Sequence, residues 1–239
     1  GRVVERLHRE DIRMIGRFDF SKVDESIASA HPDWLYRSPA GATVNYNGKV
    51  HTCVNGGYQQ ERLFDILGEA VDAYPLDGVF FNMIGYTTRD YSGNHYGPCH
   101  CEACRRRFRA ARGLDLPAVE GSADPVFRQY AAFRSETSAE LFHRVRDFIK
   151  GKRGDLAICT YTPEGVDVIR RESNSAVDRA LPEWNYSASD NVKSALCSYR
   201  GKGISNAAVH FVDIPFRHAA VSEHLTGLRL AQNMAHGGW

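Results

Sequence analysis

Three cysteines fall within six residues, Cys99-His100-Cys101-Glu102-Ala103-Cys104. The C-x-C-x2-C spacing lets three thiolates reach three corners of a tetrahedral zinc ion. A fourth ligand has to come from elsewhere: Cys53, at the end of an apolar run, or one of the histidines His95 and His100. Four thiolates leave no open coordination position, so that ion would be structural and would pin the loop that carries it. Three thiolates with a labile histidine would leave room for metal chemistry. Thiols this close together in a polar stretch are poorly explained as core packing. The remaining pair, Cys159 and Cys197, stand apart. A secreted disulfide scaffold would be shorter and denser in cysteine. Arg105-Arg106-Arg107 follows directly and reads as the solvated face of a helix.

Other reactive side chains end apolar runs. They are Arg17 and Asp19, Asn55, Asn82, Tyr161, Trp184 with Asn185, and Asp213. Asp213 follows Val209 and Phe211 and precedes Phe216-Arg217-His218. A carboxylate there, near a cation, is placed to act as nucleophile or charge stabiliser; its alternative role is a structural partner of Arg217. Glu183 precedes Trp184, and apolar surroundings would raise its pKa toward that of a general acid, unless strand alternation turns it away. Asp90 lies in a long loop. His210 and His218 are single histidines, a type that is more often structural than catalytic.

These residues need elements to hold them. Residues 1–10 read as a helix already under way. Apolar runs at Asp11–Ser21, Val50–Asn55, Asp77–Ile84, Leu156–Tyr161, Leu181–Ser187 and Ala207–Pro215 read as six strands. Helical spacing marks Gln59–Ala73, Pro125–Lys150 and Ala219–Ala235. Residues 31–48 are loop, and residues 85–124 form a long polar insertion that holds the cysteines. Strands alternating with helices predict an α/β fold with a parallel sheet. No glycine-rich phosphate fingerprint follows the first strand, and polar groups end several strands. Both features favour a TIM-type (β/α)8 barrel over a doubly wound sheet, because a barrel gathers its chemistry at the C-terminal ends of its strands. Six strands instead of eight predict an incomplete barrel. Its first strand would lie before Gly1 and its last would begin at His236-Gly237-Gly238-Trp239, in a fragment of a longer protein. The expectation is a single domain in which Asp19, Asn82, Trp184 and Asp213 surround one opening.

The chain has 239 residues, which fits one α/β barrel domain. Thirty basic against 29 acidic residues leave a net charge of +1, with neither the field nor the basic tail of a nucleic-acid or anionic-membrane binder. Hydrophobic residues make up 43%, enough for a large core, so disorder is excluded. No apolar run approaches the ~20 residues of a membrane span. The expected location is the cytoplasm, with any targeting segment upstream of Gly1, and self-association would run through regions outside this chain.

Cys53-Val54-Asn55, then a helix, a strand and Cys99-x-Cys101-x2-Cys104-x3-Phe108 is similar to the zinc-site layout of family 42 β-galactosidases, over roughly residues 50–115. The resemblance implies a four-cysteine zinc site, with Cys53 as fourth ligand, beside an active-site face. Phe18-Asp19-Phe20-Ser21, His31-Pro32-Asp33-Trp34 and Asp77-Gly78-Val79-Phe80-Phe81-Asn82 resemble a group of hypothetical glycosyl hydrolases with the same barrel. The last two segments also resemble α-L-fucosidases. Together these imply a glycoside hydrolase-like domain acting on or binding a carbohydrate. Arg17, Asp19, Asn55, Asn82, Tyr161, Trp184 and His218 would contact the sugar, while Trp34, Tyr86 and Tyr186 add rings that could stack on it. Such enzymes use two carboxyl groups across the scissile bond. In family 42 the fourth strand ends in Asn-Glu, with the Glu as acid/base; here the pair is Asn82-Met83. In fucosidases that strand carries a nucleophilic Asp; here it is Asn82. Asp213 and Glu183 are then the catalytic candidates, and a catalytically silent carbohydrate-binding barrel is the alternative.

Overall fold

The computed structural model describes residues 2–239, and Gly1, the first residue of the expected N-terminal helix, lies outside them. In chain order the elements are α1 (Arg2–Arg9), β1 (Ile15–Asp19), β2 (Lys22–Asp24), α2 (Glu25–Ala30), β3 (Asn45–Tyr46), β4 (Lys49–His51), α3 (Leu63–Ala73), β5 (Gly78–Asn82), α4 (Glu102–Arg112), α5 (Pro125–Lys152), β6 (Ala157–Thr160), β7 (Val168–Ser173), α6 (Leu181–Ser198), β8 (Gly203–Ala208) and α7 (Glu223–Ala235). The chain divides into two compact units. One holds the residues up to Asp77 and Phe81–Leu156, the other Gly78–Phe80 and Ala157–Trp239, so β5 contributes to both.

In the first unit, β1 lies beside the end of β5. Phe18, Phe20 and Phe81 cluster with ring centroids 6.0 to 6.5 Å apart. Side chains alternate along a strand, so Arg17 and Asp19 take the opposite face from these rings. Helix α3 packs on α5 through Leu63, Leu67, Leu141, Val145 and Ile149, all buried, and through the edge-on pair Phe64–Phe148. Asp124 caps α5 by accepting from the Val126 N–H, and Pro125 supplies the fixed φ suited to a first helical turn. Helix α4 packs on α5 through Phe108, Tyr130 and Phe133. A separate antiparallel sheet runs β2-β4-β3. The expected strand Val50–Asn55 belongs there and not to the parallel sheet. Its role is to present Cys53, whose N–H bonds the Trp34 carbonyl just past β4.

In the second unit, the start of β5, then β6, β7 and β8, pair in parallel in that order. Helices α6 and α7 pack together and cover the sheet face that carries Asn206. Two expectations fail here, and one strand was not foreseen. Leu181–Ser187 is the first two turns of α6, with Pro182 near its start, where a missing N–H costs nothing. The strand expected at Ala207–Pro215 is displaced: β8 ends at Ala208, and residues beyond it double back, Val212 N–H to Ala219 and Val221 N–H to His210. Strand β7, Val-Ile-Arg-Arg-Glu-Ser, was hidden by its charge. Trp239 bonds β8 in a parallel pattern, its N–H to Ile204 and its carbonyl to the Asn206 N–H. Among the described residues no helix is long and apolar enough to cross a membrane.

Candidate metal centre and strand-end polar groups

Cys53 leaves β4, Cys99 and Cys101 precede α4, and Cys104 sits in the first turn of α4. All four side chains are buried, and their sulfurs lie within 4.8 Å of one another. Cys53 Sγ is 3.4 Å from Cys101 and Cys104 and 3.7 Å from Cys99. Sulfurs ~2.3 Å from a tetrahedral ion are about 3.8 Å apart, so the set fits a metal such as zinc. The rival histidines are engaged elsewhere: His95 pairs with Glu120 at 3.1 Å, and His100 meets the Pro117 carbonyl at 2.9 Å.

The surroundings suit thiolates. N–H groups of Asn55 and Cys104 donate to Cys53 and Cys101, and the Asn55 amide donates to Cys104 at 3.2 Å. Cys101 caps α4, so the positive end of the helix faces the sulfurs. Hydrogen bonds from Cys104 and Cys53 pull the pKa of Cys101 far down, and the same bonds to Cys101 push Cys53 and Cys104 up. A divalent cation held by these four sulfurs would let all of them lose their protons together.

A hydroxyl shell closes the cluster. Tyr130 OH accepts from the Cys99 N–H, Tyr36 OH donates to the Gly97 carbonyl, and Tyr86 OH accepts from Asn55 and meets Thr137. Burial, reinforced by the neighbouring thiols, raises all three phenol pKa values. Asn55, expected at a substrate, is part of this shell; its oxygen accepts from Arg107, which also pairs with Glu140.

Of the strand-end residues in the first unit, the structure brings together Asp19 and Asn82. The Asn82 amide donates to Asp19 Oδ2 at 2.8 Å, and Ser21 donates to Oδ1 through both its N–H and its hydroxyl. Arg17 is exposed on the same face of β1. Met83, next to Asn82, has φ +54°, a left-handed conformation that is rare for a side chain of its kind. Asp90 binds its own loop through Ser92, Asn94 and Tyr96. Sequence reasoning missed His51, fully buried on β4. Its Nδ1 meets the Thr87 carbonyl at 3.0 Å, which assigns the proton to Nδ1 and leaves Nε2 an acceptor without a partner among the described residues. Burial lowers its pKa, so the ring stays neutral. His-x-Cys was the available signal, overshadowed by the thiols.

In the second unit, Asp213 and Trp184 anchor to adjacent residues of one loop. Asp213 accepts from the Val177 and Ile214 N–H groups at 3.0 and 2.6 Å, and Trp184 donates to the Ala176 carbonyl at 3.0 Å. Glu183 is exposed in the first turn of α6, on a helix and not at a strand end. His218 is exposed, and Tyr161 donates to Glu172 at 2.7 Å. Arg229, entirely buried on α7, donates to the Val209 and Trp184 carbonyls and to Ser175, tying these loops together.

A family described as hypothetical glycosyl hydrolase 6 (GHL6) matches residues 1–83. No curated protein matches the chain. A β-galactosidase from Bacillus circulans sp. alkalophilus aligns over 99% of this chain and 41% of its own, at 18% identity and TM-score 0.69. A β-galactosidase from the Antarctic haloarchaeon Halorubrum lacusprofundi aligns over 99% and 43%, at 14% identity and TM-score 0.72. An α-L-fucosidase isoenzyme 2 from Paenibacillus thiaminolyticus covers 85% of this chain and 29% of its own, at 17% identity and TM-score 0.60. The chain spans less than half the length of each. It thus resembles the hypothetical glycosyl hydrolases over residues 1–83, and its α/β fold with a parallel sheet is that of the barrel region of the β-galactosidases.

Proposed function

We propose that this chain is a glycoside hydrolase-like barrel that binds a carbohydrate and holds a structural zinc ion on Cys53, Cys99, Cys101 and Cys104. The observation that carries the reading is the strand-end pair in the first unit. Asp19 offers a carboxylate to sugar hydroxyls and is oriented by Asn82 and Ser21, while the residue after Asn82 is a methionine. A thioether transfers no proton, so this strand end can bind but supplies no acid. Arg17, on the same face, adds a donor. The zinc supplies no reaction chemistry: with four thiolates its coordination is complete, and it fastens the loop after β5 to the segment after β4. Family resemblance supports a carbohydrate as the ligand.

A second reading, hydrolysis, is favoured by the second unit. There Asp213 and Trp184 bond to the adjacent residues Val177 and Ala176, and Glu183 precedes Trp184 in the first turn of α6. Asp213 would be the essential carboxylate and Glu183 its acid. A screen of aryl glycosides with the wild type, Asp213→Asn and Glu183→Gln separates the readings. Carbohydrate binding without turnover is the expected result. Turnover that falls at least ~100-fold in Asp213→Asn would establish the hydrolase instead. Turnover untouched by either substitution would remove both carboxylates from the reaction.

A further inference from the structure

Strand β7 carries a second polar constellation, on the sheet face opposite the one that α6 and α7 cover. Arg170 and Glu172 project on this face, with Phe80 from β5, Tyr161 after β6 and Ser205 from β8. Arg170 Nη1 donates to Ser205 Oγ at 2.8 Å, and its guanidinium carbon lies 5.5 Å from the Phe80 ring centroid. Phe80 and Tyr161 meet edge to face at 5.7 Å. Tyr161 OH donates to Glu172 Oε1, which holds that carboxylate on the tyrosine, and no ion pair joins Glu172 to Arg170.

The guanidinium is half-buried, its Nε is buried without a hydrogen-bond partner, and among the described residues no carboxylate pairs with it. Taking a cation partly out of water without a counter-ion costs free energy, and with Nε buried and one Nη1 hydrogen on Ser205 it is the Nη1–Nη2 end of the guanidinium that is left to recognise an anion. A carboxylate matches that fork with two parallel bonds. Phe80 and Tyr161 offer apolar ring surface, and Glu172 offers an acceptor for hydroxyl groups. A single ligand combining a carboxylate, an apolar C–H face and hydroxyls is a sugar acid. We propose that this face is a subsite for a uronic acid residue, its carboxylate on Arg170, its ring against Phe80 and Tyr161, and its hydroxyls toward Glu172. The proposal rests on the carbohydrate reading above and specifies the class of sugar.

Isothermal titration and saturation-transfer NMR with glucuronate, galacturonate, glucose, galactose and acetate test it on the zinc-loaded chain. Uronates are expected to bind at least about tenfold more tightly than the neutral hexoses and than acetate, and more weakly as salt is raised. Arg170→Gln is expected to abolish that preference while leaving neutral-sugar binding in place, and Arg170→Lys to retain part of it. Hexoses and uronates binding alike, or a folded Arg170→Gln protein binding uronates as the wild type does, would overturn the subsite and leave the carbohydrate reading standing. Acetate binding as tightly as uronate would reduce the site to a bare anion site and overturn the sugar assignment. No binding of any sugar would overturn both. If Arg170→Gln does not fold, the wild-type preference and its salt dependence decide the matter.

Discussion

Cys101 is the residue on which the first unit most depends, because it does two jobs at once. It is one of the four clustered thiols, its pKa drawn down by hydrogen bonds within the cluster, and its sulfur caps α4. Cys101→Ser is therefore expected to lower bound zinc from one equivalent to almost none, and to destabilise the unit by more than about 4 kcal/mol, the range reached when a metal site is lost. Elemental analysis and thermal melting would check both; full zinc content in the variant would remove Cys101 from the ligand set. The thiols were legible in the sequence because their chemistry depends on spacing, which survives without knowledge of the fold. His51 and Arg170 were not. Each matters through a buried nitrogen that lacks a partner, and lack of a partner is a property of three dimensions.

At the scale of elements, two anchors set the stability of the units. Asp77, just before β5, accepts from the Met14 N–H at 2.7 Å and pairs with His8 on α1 and with Arg13, just before β1. Its partial burial opposes ionisation, but these bonds win, and its pKa is lowered. A depressed carboxylate contributes stability that is present above its unfolded pKa and lost as pH falls through the folded one, so the loss falls below about pH 4. Asp77→Asn should cost about 1.5 kcal/mol at pH 7 and flatten the acid side of the melting-temperature profile. An unchanged acid profile would assign the acid sensitivity to other groups. In the second unit Arg229 is the buried anchor. Its replacement by methionine strands the Val209 and Trp184 carbonyls and should cost about 3 kcal/mol, whereas lysine keeps the charge without the fork. Equal melting temperatures for wild type and Arg229→Met would show the loops to be held by other contacts. Sequence patterns exposed β1, β5 and β6 because their apolar runs are compact. They misplaced α6 because Leu-Pro-Glu-Trp alternates like a strand, although a proline two residues in is also a helix-start signal. They missed β7 because one of its faces is charged, and they slid β8 forward onto Ala-Val-His-Phe-Val, an apolar stretch that forms a loop.

For the molecule as a whole, the α/β class and the parallel sheet followed from strand–helix alternation, and the likeness to the β-galactosidase structures bears them out. Substrate could not be read the same way, since folds of this class host many reactions and the residue after Asn82 breaks the pattern that would have named one. The ligand is therefore the proposed part of the account: a carbohydrate at the polar strand ends. The central claim is carbohydrate recognition at those strand ends. Its most direct test is titration of a panel of mono- and oligosaccharides into the folded, zinc-loaded chain and into Asp19→Ala. Saturable binding of at least one sugar by the wild type is expected, weakened about tenfold or more in the variant. A zinc-loaded, folded chain that binds none of them would contradict it.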